Sequence, residues 1–90
     1  MRKTEEQVRI FKVLSAPARV RMIVLLKQRS LCVNALARTL QVTPAAVSQH
    51  LRVLRDAGVV VAEKHGYFVH YRVAPEVLRQ WRKIANELFE

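Results

Sequence analysis

Between Thr43 and Gly58 the chain reads TPAAVSQHLRVLRDAG, and Thr43, Ala45, Ala46, Ser48, Gln49 and Arg52 are the positions with a recognition chemistry to offer. Gln49 carries a primary amide, which pairs bidentately with an adenine edge. Ser48 can contact a base or a phosphate, while Ala45 and Ala46 permit close approach and can touch thymine methyls. Arg52 lies one turn beyond Ser48 and suits a phosphate, although Asp56 at i+4 offers it a surface ion pair worth a few tenths of a kcal/mol. Small residues beside a bidentate amide suit a helix that enters a groove, so this segment reads as a DNA recognition helix. His50 lies next to the apolar stripe of the same helix and reads as core-edge packing. Catalytic constellations are missing: there is no Gly-rich phosphate loop, no pair of carboxylates in an apolar setting, and no Ser/His/Asp or Cys/His set. The chain is therefore expected to be no enzyme and to need no cofactor.

The elements that must hold this segment follow from the spacing. Thr43 is a helix cap and Pro44 suits a first turn, where its missing N–H costs nothing. Val47, Leu51 and Leu54 recur at four and three residues as one buried stripe, and Gly58 stands where a left-handed residue ends a helix. The recognition helix is thus placed at 44–57, roughly 21 Å long. A short helix over 35–40, capped by Asn34, precedes it across the three-residue gap Gln41-Val42-Thr43, which makes a helix-turn-helix. Gln41 occupies the turn position at a small backbone cost if that site is left-handed. After Gly58, the run 59–62 and Phe68–Val73 read as two strands about a turn at Lys64-His65-Gly66. That hairpin, over 63–68, is a wing, and it puts Lys64, His65 and Tyr67 at a tip that crosses the DNA backbone or enters the minor groove. Helices at 4–14, from Pro17 onward through Val20, Ile23, Val24 and Lys27, and at 76–89 complete the chain. The second of these is apolar over much of its girth and is expected to be central and well buried. Arg19 and Arg21 sit on its rim, either solvated or against a phosphate. The expected fold is mainly α with a small β-hairpin: a winged helix-turn-helix of about five helices and a two-stranded wing, as one domain over 1–90.

Composition agrees with a polyanionic partner. The net charge is +9, from 16 basic and 7 acidic side chains, which favours nucleic acid ahead of an anionic membrane. No carboxylate occurs from Gln7 to Arg55, a window holding nine Lys or Arg. The longest strongly apolar stretch, Val20 to Leu26, is interrupted by Arg21 and is too short to span a bilayer. Glu5 and Glu6 stand where a signal peptide needs an apolar core. One cysteine cannot build an intrachain disulfide. A cytoplasmic location is the expectation.

Over nearly its whole length the chain resembles the arsenic-repressor (ArsR) family of bacterial winged-helix regulators. LSAPARVRMIVLL is similar to the family's junction between first and second helices, VSQHLRVLRDAGVV to its recognition helix, and GYFVHYRV to its wing. Ser48, His50 and Leu51 carry the most specific part of the likeness. The resemblance implies a homodimeric repressor that binds an inverted-repeat operator on double-stranded DNA and releases it when an effector binds. The sequence names no effector. Val8, Phe11, Leu78, Trp81, Ile84 and Leu88 on the terminal helices are the dimer candidates, being more apolar than one small core requires; the alternative is that they pack on this chain's own helices. The family's thiolate metal site uses a Cys-Val-Cys pair where this chain has Cys32-Val33-Asn34. A soft-metal site needs at least two sulfurs, and the last helix has no His, so no metal site is expected. Cys32 is then either a small buried hydrophobe or a redox-active thiol near a helix N-terminus. The rival functional readings are a winged-helix RNA-binding module and a protein-docking module, both without operator specificity.

Overall fold

The computed structural model describes residues 2–90. Helix α1 (Arg2–Val13) is followed by α2 (Pro17–Gln28), α3 (Val33–Leu40) and α4 (Pro44–Asp56). Strands β1 (Val60–His65) and β2 (Phe68–Val73) form an antiparallel hairpin, and α5 (Pro75–Glu87) closes the order. Five helices and a two-stranded hairpin make the winged helix-turn-helix the residue pattern predicts. Prolines open α2, α4 and α5 at their first turns, where a fixed φ is already helical.

The core forms where the helix stripes meet the root of the hairpin. Met22 and Leu26 of α2, Leu36 of α3, Val47, Leu51 and Leu54 of α4, and Val59, Val60 and Val73 around the hairpin are all buried in one cluster. Each such side chain contributes about 1.5–3 kcal/mol on leaving water. The helix stripe of α4 is therefore confirmed, with Val47 and Leu54 at 0% exposure.

Two backbone turns fix α4 at both ends. Before it, Gln41 adopts φ 57° and ψ 44°; its N–H reaches the Arg38 carbonyl and the Val42 N–H reaches Ala37, a Schellman closure of α3. The left-handed turn site is thus real, and a non-glycine residue occupies it. After α4, Gly58 at φ +81° repeats the motif, with Gly58 N–H donating to Arg55 and the buried Val59 to Leu54.

Several sequence expectations need correction. Helix α3 starts at Val33 with Cys32 as its N-cap, and no side chain caps it; Asn34 lies inside the helix and exposed. Helix α2 is not buried all round. Met22, Ile23 and Leu26 face the core, whereas Val20 and Val24 are 41% and 47% exposed. Strand β1 runs through Lys64 and His65, so the turn is only Gly66-Tyr67. Positive φ falls on Gly66 and not on Tyr67, the pattern of a type II′ hairpin turn, whose twist matches that of the strands. Leu31 adds a one-residue antiparallel bridge to Tyr71, exchanging both backbone hydrogen bonds at 3.1 and 2.8 Å.

Helix α1 meets α5 through Gln7 and Ile10, its Val13 is buried in the core cluster, and Val8 is exposed. The buried Gln7 donates its amide to the Ile84 carbonyl at 3.1 Å, and Lys3 pairs with Glu87. That partner holds the Lys3 ammonium above its usual pKa.

Candidate nucleic-acid interface

The reading head is built from α4 upward. Thr43 accepts the Ala46 N–H at 3.1 Å, which satisfies one of the helix's orphan donors and leaves the hydroxyl proton free for an outside acceptor. Past that cap, Ala45, Ser48, Gln49 and Arg52 are exposed and Ala46 is half-buried. Val47, Leu51 and Leu54 thus pack on the chain while the polar and small groups meet solvent, together with the exposed Val53. No ion pair joins Arg52 to Asp56; among the described residues the pairs are Lys3–Glu87 and Glu63–Arg72. The Arg52 guanidinium is left with its donors unspent.

Beside this face runs a cleft of about 670 Å³ between α4 and the hairpin. Ser48, Arg52 and Arg55 line one wall at i, i+4 and i+7, and Ala62 and Tyr71 line the other. The Arg55 guanidinium sits 6.0 Å from the centre of the Tyr71 ring, a cation–π distance. Sequence reasoning did not single out Arg55. The helical spacing from Ser48 was the available signal, but the opposing wall is visible only once the hairpin folds back.

The hairpin separates residues that the sequence grouped at its tip. Lys64 pairs opposite Val69, and Ala62 opposite Tyr71, so Lys64 shares the cleft-side face. His65 pairs opposite Phe68 and lies on the other face, where its ring stacks on His70 at 4.8 Å. Glu63 and Arg72 form an ion pair of 3.0 Å on that same face. Tyr67 is at the turn itself and is fully exposed. Alternation along a strand means Lys64 and His65 cannot address one surface together.

Arg19 falls outside both sequence alternatives. Its Nε donates to the Val13 carbonyl at 2.6 Å, Nη2 to Lys12 at 3.2 Å, and Nη1 to His50 Nδ1 at 3.3 Å. One guanidinium therefore caps the C-terminus of α1 and ties it to α4. A guanidinium only donates, so Nδ1 of His50 is the lone-pair nitrogen. His50 is half-buried at the core edge, as its position beside Val47 and Leu51 implies.

Among the terminal-helix candidates, Val8, Phe11 and Leu88 are exposed, at 59%, 38% and 53%. Leu78, Trp81 and Ile84 are half-buried, with Leu78 and Trp81 packed on this chain's own core. Phe89, not singled out in the sequence, is 75% exposed and meets Phe11 edge-to-face at 6.5 Å. Cys32 is half-buried at the start of α3 with a free thiol. Among the described residues no three His, Cys, Asp or Glu side chains come together as a metal ion requires, and no helix is long and apolar enough to cross a membrane.

Residues 16–61 match the model of the bacterial regulatory proteins of the arsR family. The arsenical resistance operon repressor of Escherichia coli is 33% identical over 89% of this chain and 69% of its own length. An HTH-type transcriptional repressor, SmtB, of Mycobacterium tuberculosis is 40% identical over 72% of this chain; the match spans about half of that protein, 48%. Among solved structures, the homodimeric winged helix-turn-helix DNA-binding domain of a possible ArsR-family transcriptional regulator from Mycobacterium bovis superposes with a TM-score of 0.76. It is 26% identical and covers 97% of this chain and 84% of that one.

Proposed function

The chain belongs to the arsR family of bacterial regulatory proteins, and from that premise we propose that it is a homodimeric transcriptional repressor that reads an inverted-repeat operator in the cytoplasm. Each protomer inserts α4 into the major groove. Gln49 reads a base, Ser48 contacts a base or phosphate, Ala45 and Ala46 allow the approach, and Thr43 and Arg52 hold the backbone. Lys64 and Tyr67 of the wing take the flanking phosphates or minor groove, and His65, on the opposite face and stacked on His70, is left out of that contact. Arg55, on the cleft wall beside Arg52, joins them as a backbone contact.

The observation that supports this most directly is the exposed face of α4. Gln49 and Arg52 stand there with no partner among the described residues, next to a cleft lined by two arginines and one aspartate, Arg52, Arg55 and Asp56, in a chain of net charge +9. An amide and a guanidinium left unpaired on a capped helix keep all their donors and acceptors for an outside partner. With one cysteine per chain, this reading does not extend to thiolate metal sensing within a protomer.

Selection of bound duplexes from a random DNA pool, followed by titration of the winning site, tests the reading. Gln49→Ala is expected to cost about 1–3 kcal/mol on the selected site and little on random DNA. Lys64→Ala is expected to weaken binding to all duplexes alike and to lower the salt slope by about one. Equal losses on specific and random DNA for Gln49→Ala would remove it from the reading face. A pool that yields no preferred duplex would remove the regulator.

A further inference from the structure

Helix α2 carries more apolar surface than the chain's own packing uses. On its exposed side, α2 and α5 wall a groove of about 340 Å³, to which α1 contributes Ile10 and the turn after α1 contributes Leu14. That volume lies at the lower end of the range of small-molecule sites, about 300–1,000 Å³. Val24, Leu78 and Trp81 supply hydrocarbon, the exposed Lys27 and Arg82 line the groove chiefly with their aliphatic stems, and no carboxylate lines it. Neither cation has an acidic partner among the described residues, whose ion pairs are Lys3–Glu87 and Glu63–Arg72. Val8, Phe11, Leu88 and Phe89, the exposed apolar residues suited to a second copy, do not line the groove.

We propose that this groove binds a small amphipathic monoanion, an apolar tail bearing a carboxylate head. The tail lies between Val24 on one helix and Leu78 and Trp81 on the other. The head sits between Lys27, which offers a point charge, and Arg82, whose planar fork donates bidentately to a carboxylate. Two like charges at this site repel a cationic ligand of the same shape, and a purely apolar one gains nothing from them. The site is separate from α4 and the hairpin, so it stands or falls independently of the DNA-binding reading.

The chain's single tryptophan is in the lining, which makes the test direct. Decanoate is titrated into the 90-residue chain while Trp81 emission is followed, with decanol and decyltrimethylammonium as neutral and cationic controls of equal tail length. One saturable site per chain is expected, with decanoate bound at least about ten-fold more tightly than either control. Lys27→Ala combined with Arg82→Ala, both surface changes, is expected to bring decanoate down to the level of decanol. Val24→Glu, which places a carboxylate at the groove wall, is expected to abolish decanoate binding while circular dichroism stays unchanged. Equal affinity for decanoate and decanol in the unaltered protein would overturn the proposal. So would several decanoates bound per chain with no effect of either variant. A Trp81 response that disappears as protein concentration rises would assign the groove to a second copy instead.

Discussion

At the scale of single residues, Arg19 does the most with the least warning. Its three hydrogen bonds reach two carbonyls at the end of α1 and the His50 ring on α4, so it joins a terminal helix to the reading head. Unsatisfied helix-end carbonyls carry partial negative charge, and a cation there is favourable both as a donor and against the dipole. Arg19→Met keeps most of the aliphatic stem and removes only the donors. It is expected to lower stability by about 1–2 kcal/mol, read from urea unfolding, since charge-assisted hydrogen bonds exceed neutral ones. A loss under a few tenths would mean water replaces the guanidinium without penalty. From the sequence, Arg19 looked like any rim arginine. Its partners lie six or seven residues back and thirty-one ahead, and only the α1–α2 corner and the packing of α4 bring them into one place.

At the scale of elements, the two Schellman closures around α4 are a matched pair with opposite residues. Gly58 holds φ +81° without strain, and Gln41 holds φ 57° against its Cβ. A left-handed conformation costs an L-residue about 1–2 kcal/mol, partly offset because glycine loses more backbone freedom on folding. Gln41→Gly is therefore expected to raise stability by about 0.5–1 kcal/mol. Gly58→Ala is expected to lower it by about 1–2 kcal/mol. No atom lies within 4 Å of a Cβ built at Gly58, so that loss would be backbone strain alone. Thermal unfolding of the two variants side by side checks both signs; a destabilised Gln41→Gly would show that the glutamine side chain has a role of its own. The hairpin makes the same point about register. Gly66 was legible as a turn residue, but the two-residue turn moves Lys64 and His65 onto the strand, and alternation then sends them to opposite faces.

At the scale of the whole molecule, one chain presents one reading helix, about 20 Å long. Specific contact with successive major grooves needs two such helices about 34 Å apart, which ties operator symmetry to protein symmetry. The exposed Val8, Phe11, Leu88 and Phe89 are the surface best suited to a two-fold contact, with Phe11 and Phe89 already edge-to-face. Phe11→Ser combined with Phe89→Ser is expected to shift sedimentation from dimer to monomer without unfolding the chain. Affinity for a full palindrome should then fall to that for a half-site. A double variant that remains dimeric would move the contact elsewhere, with the half-buried Ile84 the next residue to test.

Local pattern was enough to specify the element order, the capped and striped α4, the left-handed site at Gly58, and the basic character that favours DNA, while at Gln41 only the structure settled the left-handed backbone. Those features depend on residues within one or two turns of each other, where propensity, capping and periodicity act directly. Tertiary packing decided the rest: that Trp81 and Leu78 turn inward while Phe89 turns outward, that Arg55 faces Tyr71, and that Arg19 reaches His50. It also decided that α2 leaves Val20 and Val24 uncovered beside α5. A helix's apolar residues show only that some surface must be covered; how many neighbours arrive, and at what angle, is set by contacts between segments distant in the chain.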